Sequence, residues 1–165
     1  MRQILSFLLL AAAAGLACAA DLPKPETDAA RVLRLVAALE ASPFGDEAQG
    51  SRRWLLQWLQ ATPDYSVMVC EILGPVPGGD VPNGPELMVQ QMFGNVAYQI
   101  QNPDKKDQLS LQVAGVESTL RAYAVIVGKQ PASHIAYFDE LLKAQQNGSL
   151  RARMTPVIAE KCRKD

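Results

Sequence analysis

Residues 65–73 read YSVMVCEIL, and they contain one of the two cysteines on which the fold depends. The chain has three cysteines, and the first, Cys18, belongs to an N-terminal leader. That leaves Cys70 and Cys162, and an even number of cysteines in an oxidising compartment favours a disulfide. We predict a Cys70–Cys162 bond that closes most of the chain into one loop. The alternative is two buried, unpaired thiols.

The conformation of residues 65–73 is ambiguous in the sequence. With a period of two, Tyr65, Val67 and Val69 share one face, and β-branched residues favour a strand. With a helical period, Tyr65, Val69 and Ile72 cluster instead, and the chain has no second clear strand to pair with. Periodicity alone does not settle so short an apolar run. We predict a helix here, with a strand as the alternative.

The first 19 residues have the pattern of a secretory signal peptide. Arg2 supplies the positive charge, residues 4–16 form the apolar region, and small residues at 17–19 fit a cleavage site. The apolar run is short for a membrane span, and charged residues follow it closely. We therefore predict a signal peptide at 1–19 and export to the periplasm or the extracellular medium, with no transmembrane span in the mature chain.

A lipoprotein signal at residues 1–17 is the alternative for the same leader. The tetrad Gly15-Leu16-Ala17-Cys18 loosely resembles a bacterial lipobox, in which the cysteine receives the lipid. The large aliphatic residue of that motif is normally three places before the cysteine, where this chain has Gly15. Under this alternative Cys18 is the lipid-attachment site and anchors the protein to the outer membrane. Cys70 and Cys162 remain to pair in either case.

The rest of the chain is typical of an all-α fold. We predict a flexible lead-in at 20–26, which contains two prolines, and one helical domain at 27–165. Apolar residues three and four apart mark the helices, and caps and breakers bound them. The prediction is a compact single-domain bundle of six or seven helices with one disulfide. The helices are placed at 28–41, 46–61, 85–101, 107–127, 133–146 and from 149 onward.

Several local signals set the ends of these helices. The expected N-terminal caps are Thr27 or Asp28, Asp46, Asp107 and Ser133. Pro85 suits a first helical position. Pro156 is expected to break or kink the last helix. The breaker-rich loop at 74–84 is interpreted as a solvated linker, with a ligand-binding loop as the alternative.

The helix at 107–127 is expected to pack along a neighbouring helix. An apolar seam of alternating four- and three-residue spacing runs along 107–127, which indicates a shallow helix crossing. Gly115 near its middle would let a neighbouring backbone approach. One side of the 85–101 helix carries uncharged amides instead of charges. This amide face is expected to be solvated or to touch a partner, and it consists of Gln90, Gln91, Asn95, Gln99 and Gln101.

Other residue patterns argue mainly against specific chemistries. The formal net charge of −1 is unlike the strong basic excess of a nucleic-acid binder. The single histidine, His134, leaves too few ligands for a zinc site, and it is interpreted as a surface or capping residue. Trp54 and Trp58 are interpreted as core anchors, with an aromatic ligand platform as the alternative. The sequence predicts no catalytic residue, metal or cofactor.

These observations lead to a functional prediction and one enzymatic alternative. We predict a non-enzymatic exported protein that binds another envelope protein or the envelope itself. Small periplasmic inhibitors, immunity proteins and chaperone-like factors share that architecture, although no stretch identifies a family. The alternative is an envelope hydrolase that uses paired carboxylates beside the 74–84 loop. The glutamates considered for it are Glu71, Glu86, Glu117, Glu140 and Glu160.

Overall fold

A computed structural model of the chain describes residues 25–163 apart from 79 and 106. The described part is all-α, which confirms the predicted fold class. The leader with Cys18 and the beginning of the lead-in lie outside the described residues. A 3₁₀ turn at Pro131–Ser133 connects the fourth and fifth α-helices. The six helices are α1 (Asp28–Ala41), α2 (Ala48–Ala61), α3 (Gly84–Gln101), α4 (Gln108–Lys129), α5 (Ala136–Gln146) and α6 (Leu150–Lys161).

An antiparallel pair formed by α3 and α4 lies at the centre of the molecule. Leu87 near the start of α3 meets Thr119 in the second half of α4, and Gly94 meets Ser118 and Ala114 further along. Helix α1 packs on both members of this pair, and α2 packs on α1. Helices α5 and α6 pack on α4 and on each other. The α3–α4 pair therefore joins two smaller helical layers.

The apolar core is divided into two clusters by this arrangement. One lies beneath α1 and α2 and includes Leu39, Leu55 and Phe93, all at most 1% exposed. The other lies among α4, α5, α6 and the segment that precedes α3, and includes Leu120 and Phe138. Burying an aliphatic or aromatic side chain of this size contributes about 1.5–3 kcal/mol. Both halves thus have a core of their own.

The segment at 65–73 is neither a helix nor a paired strand, so the predicted helix is wrong. From Tyr65 to Cys70 the backbone runs without a turn or bend. Three of its carbonyls accept hydrogen bonds from side chains, whereas Cys70 O accepts one from the nearby Ile72 N. Three side chains reach from the core helices: Gln99 Nε2 donates to Ser66 O (2.8 Å), Gln112 Nε2 to Met68 O (2.7 Å) and the Tyr137 hydroxyl to Ile72 O (2.9 Å). Buried backbone polar groups must be paired, and these bonds satisfy three of the segment's carbonyls without a partner strand.

The amide face of α3 is largely buried, so the expectation of a solvated or partner-facing surface is wrong for most of it. Gln90, Gln91 and Asn95 are at most 2% exposed. Gln91 Nε2 donates to Gln112 Oε1 (2.6 Å), and Gln90 Nε2 donates to Ser118 Oγ (2.9 Å). The amides form a hydrogen-bonded layer between α3 and α4, because buried polar groups are tolerated only when they are satisfied.

Two glycines allow α3 and α4 to approach this closely. A Cβ added at Gly115 would lie 2.6 Å from the Gln91 carbonyl oxygen of α3. A Cβ at Gly94 would collide with the Ser118 side chain. The predicted close approach at Gly115 is therefore confirmed, and Gly94 is its counterpart on the other helix.

Helix caps agree with the prediction at two positions and differ at two. Thr27 accepts a hydrogen bond from Ala30 N, and Asp107 accepts one from Ser110 N. Asp46 is not the cap of α2, which begins one residue after Glu47. Ser133 lies in the 3₁₀ turn, and α5 begins at Ala136. The Ser133 hydroxyl instead donates to Gln130 Oε1 (3.2 Å) within that turn.

Helix α6 continues through Pro156, so the predicted break is wrong. The proline removes one backbone donor, but buried side chains hold the helix on both sides of it. Met154 and Ile158 are at most 4% exposed within the second core cluster. The Thr155 hydroxyl donates to Arg151 O (2.8 Å) rather than capping a new helix. Tertiary packing here outweighs the local cost of the proline.

The loop before α3 is also more than a linker. Val76 is 2% exposed and packs in the second core cluster with Ile72 and Leu73. The interpretation of 74–84 as wholly solvated is therefore wrong at Val76. Immediately before this loop, Cys70 lies at disulfide-bond distance from Cys162, with their Cα atoms 5.3 Å apart. This is the predicted pair, and it ties the end of α6 to the segment at 65–73.

Candidate binding surface

A row of three aromatic rings lies on the surface formed by α2 and the start of the 65–73 segment. Trp54 and Trp58, one helical turn apart, stack with centroids 6.3 Å apart and planes 12° apart. The Trp58 and Tyr65 centroids are 5.7 Å apart. The Arg31 guanidinium of α1 lies 4.2 Å from the centroid of the Trp54 ring. We call Arg31, Trp54, Trp58 and Tyr65 the aromatic surface.

The aromatic surface is only partly buried. Trp54, Trp58 and Tyr65 pack one side against the first core cluster and leave another side in solvent. Leu55, between the two tryptophans, is the buried anchor of α2, at 1% exposed. The interpretation of the tryptophans as core anchors thus holds for one side of each ring, and the other side is exposed.

Two depressions adjoin Tyr65, one on each side. The first, of about 380 Å³, is lined by Trp58 and the α2–Tyr65 turn together with the start of α1. The second, of about 330 Å³, is lined by Tyr65, Gln99, Asn102 and Lys105 among others. Aromatic, amide, carboxylate and ammonium groups therefore surround one tyrosine ring. Such a mixture combines apolar contact area with directional hydrogen bonding.

A second concave region lies between α1, α3 and α4. Its central feature is Glu40, which accepts two hydrogen bonds from Arg121 (2.6 and 2.8 Å) and one from the Ser118 hydroxyl (2.6 Å). The hydrogen bonds that Arg121 donates to Glu40 raise the pKa of the Arg121 guanidinium. Glu117 lines the same groove. Glu40 was not among the glutamates considered from the sequence, since its partners are about 80 residues away along the chain.

The five glutamates considered from the sequence lie in different parts of the molecule. Glu140 is paired with Lys143 and Glu160 with Lys161, each at 2.8 Å, and these bonds lower the pKa of both carboxyls. A general acid for hydrolysis needs a raised pKa instead. Glu71 is exposed beside the 74–78 loop, and Glu86 is half-exposed at the start of α3. Glu117 lines a groove together with a second carboxylate, that of Glu40.

His134 takes part in a small network at the start of α5. Its Nδ1 lies 3.0 Å from Asp139 Oδ1, and the Tyr123 hydroxyl donates to the same oxygen (2.6 Å). The Tyr123 oxygen accepts from Ile135 N (2.8 Å). The adjacent Ser133 bonds to Gln130 instead of His134. The exposed His134 thus agrees with its interpretation as a surface residue.

Tyr123 is the most strongly perturbed group of this network. Its ring is fully buried, and burial together with the Asp139 hydrogen bond raises its pKa to about 12. The hydrogen bond from Tyr123, followed by those from His134, lowers the pKa of Asp139. These groups link α4 to the start of α5.

Substitution of Tyr123 is expected to change the alkaline stability of the protein. The unfolded tyrosine ionises near pH 10 and the folded one near pH 12. Because the folded pKa is raised, its stabilising contribution is complete below pH 10 and is lost as the pH rises toward 12. The loss is about 2–3 kcal/mol. The free energy of unfolding of Tyr123→Phe should be about 1–2 kcal/mol lower than that of the parent at pH 7. Between pH 10 and 12 it should fall by less than that of the parent.

Urea unfolding at a series of pH values measures this difference. Tyr98→Phe removes the hydroxyl of a half-exposed tyrosine of α3 and is the matched control for the substitution itself. An unchanged slope in Tyr123→Phe would contradict the role of the buried hydroxyl.

The described residues contain no group of three or more His, Cys, Asp or Glu side chains placed to hold a metal ion. None of the helices in this part of the chain is both long and apolar enough to cross a membrane. Comparison with protein-family models, curated proteins and solved structures found no match.

Proposed function

We propose that this chain is an exported, non-enzymatic protein that binds another protein of the cell envelope through the aromatic surface. The observation that carries the proposal is the partly exposed row of Trp54, Trp58 and Tyr65 with Arg31 beside it. Tryptophan, tyrosine and arginine are the residue types that contribute most of the binding energy at protein interfaces. The leader sequence and the Cys70–Cys162 pair support an oxidising location.

The aromatic surface is held rigidly, which favours binding. Trp54 and Trp58 lie on one helix, and one side of each ring packs on the first core cluster. The Arg31 guanidinium of α1 lies over the Trp54 ring. Tyr65 follows a turn that begins at the end of α2, and Trp58 contacts its ring. Side chains that are already ordered lose less conformational entropy when a partner binds. The open depressions beside Tyr65 provide polar groups at the rim, as protein interfaces commonly do.

Substitution of Trp58 provides the test. Tagged parent protein, Trp58→Ser and Phe44→Ser are used to isolate partners from an envelope extract, and enriched proteins are quantified by mass spectrometry. We expect one protein to be retained by the parent and by Phe44→Ser, and to be depleted at least tenfold with Trp58→Ser, which corresponds to about 1.4 kcal/mol. Phe44 is a matched control because it is an exposed aromatic residue, 46% exposed, outside the aromatic surface.

Thermal unfolding of each variant shows whether Trp58→Ser still folds. A folded Trp58→Ser protein that retains the same proteins as the parent would contradict the proposal. So would a parent protein that enriches none.

A second candidate function is hydrolysis in the groove between α1, α3 and α4. One observation favours it: Glu40 and Glu117 line the same groove, and a pair of carboxylates can hydrolyse glycosidic bonds. Its test is the release of reducing sugar from purified cell-wall glycan by the parent protein. Loss of that release in Glu117→Gln would support the enzyme, and no release by the parent would contradict it.

A further inference from the structure

The straight segment Tyr65–Cys70 has two backbone edges in different environments. One edge faces the core helices, where Gln99 and Gln112 donate hydrogen bonds to the carbonyls of Ser66 and Met68. These side chains replace a neighbouring strand and keep the segment extended. The disulfide at Cys70 fixes its far end. The segment is therefore held as a strand without belonging to a sheet.

The opposite edge has no such partners. Along an extended chain the backbone groups of alternate residues point to opposite edges. Because Ser66 and Met68 point inward, the N–H and C=O groups of Val67 and Val69 point outward. Outside the helices, none of the backbone–backbone hydrogen bonds among the described residues involves Val67 or Val69. Val69 is exposed and Val67 is half-buried. Because burying unpaired backbone groups is costly, we expect these groups to face solvent.

The residues of this edge lack the usual protection against pairing. Natural edge strands carry charged residues or proline that block the addition of another strand. Residues 65–70, YSVMVC, contain no charge, no proline and no glycine. Val69 is 59% exposed, more than any other large apolar side chain in the described ranges. A short segment of this composition at an exposed edge favours pairing with another extended chain.

The segment is complementary to itself in the antiparallel direction. If a two-fold axis passes beside Val67, the outward-pointing residues of two copies lie opposite one another. Tyr65 of each copy then faces Val69 of the other, and the two Val67 residues face each other. Aromatic–β-branched pairs are among the favourable cross-strand contacts. About six backbone hydrogen bonds would form between the copies.

We propose that two copies of this chain pair through the outer edges of Tyr65–Cys70 to form a two-stranded antiparallel ribbon. The pairing is isologous, so the same surface of both copies is covered. It also brings the two aromatic surfaces, which share Tyr65 with the ribbon, next to each other. This inference goes beyond the proposed function, because pairing of two copies needs no envelope partner.

Sedimentation equilibrium of the disulfide-bonded mature protein tests the pairing. The parent protein should reach the mass of a dimer as its concentration rises. Val69→Lys should raise the dissociation constant at least tenfold, since it puts a charge opposite Tyr65 in both outer pairs of the ribbon. Phe44→Lys is the matched control: it adds the same charge at another exposed apolar residue and should leave the dissociation constant unchanged. Thermal unfolding verifies that both variants are folded.

Hydrogen exchange gives an independent measurement that needs no variant. The amides of Val67 and Val69 should be protected at concentrations where the dimer predominates and exchange freely at dilution. A parent protein that remains monomeric throughout the concentration range would overturn the proposal. A dimer that Val69→Lys leaves intact, with these amides still exchanging freely, would overturn it as well. Either result leaves the Trp58 test of the proposed function unaffected.

Discussion

Replacing both Cys70 and Cys162 with alanine will lower the free energy of unfolding by about 4–5 kcal/mol. The two cysteines are 92 positions apart, and a loop of that length loses much conformational entropy in the unfolded chain when it is closed. In the folded protein, the bond ties the last turn of α6 to a segment that has no backbone partner strand. Without it, α6 should be the first element to open, because it already contains Pro156.

Thermal and urea unfolding of the parent and the double variant measure this effect. For a domain of this size the midpoint should fall by roughly 10–20 °C. The parent in excess reductant should behave like the double variant, which controls for the lost side chains. Equal midpoints for the oxidised and reduced parent would show that the disulfide does not hold the fold.

Gly115→Ala will destabilise the protein by about 2–3 kcal/mol, although alanine is the better helix former. The added Cβ would lie 2.6 Å from the Gln91 carbonyl oxygen, and that atom cannot move unless α3 moves with it. Separation of α3 and α4 would also lengthen the buried bonds between Gln90 and Ser118 and between Gln91 and Gln112. Buried polar groups that lose their partners cost about 1–3 kcal/mol each.

Gly128→Ala is the matched control for this prediction. Gly128 lies in the same helix, and a Cβ there would have no atom within 4 Å. It should therefore stabilise the protein by about 0.5–1 kcal/mol. The comparison is made by urea unfolding of the two variants and the parent. If both substitutions change the free energy of unfolding in the same direction by similar amounts, the prediction that Gly115 is needed for the close approach of α3 and α4 is wrong.

Helix positions were predictable because they depend on local patterns. The apolar stripe of α1 and the caps at Thr27 and Asp107 depend only on residues a few positions away along the chain. The errors arose where distant groups decide the outcome. Pro156 stays helical because the second core cluster holds Met154 and Ile158, and no neighbouring residue reveals this.

The segment at 65–73 and the amide face of α3 were misjudged for one shared reason. Taken alone, the segment is an apolar run without a partner strand, and the amide face is a row of amides without charges. In the structure the amides supply hydrogen bonds to the segment. Gln99 donates to Ser66 O directly, and Gln91 donates to Gln112, which in turn donates to Met68 O. Such a match between segments 20 or more residues apart is not visible in periodicity.

The candidate site was predictable only in part. The spacing of Trp54 and Trp58 placed both rings on one face of α2. The contributions of Arg31 and Tyr65 depend on how α1 and the 65–73 segment pack against α2, which local sequence does not determine. The Glu40–Arg121 pair was missed for the same reason.

The central claim is that this is an exported domain closed by the Cys70–Cys162 bond. The most direct test is the intact mass of the protein recovered from outside the cytoplasmic membrane, measured before and after reduction. We predict a chain that begins at Ala20 and gains the mass of two hydrogens on reduction. A start at an acylated Cys18 would identify the lipid-anchored alternative. A full-length chain found only in the cytoplasm, with Cys70 and Cys162 both free, would contradict the account.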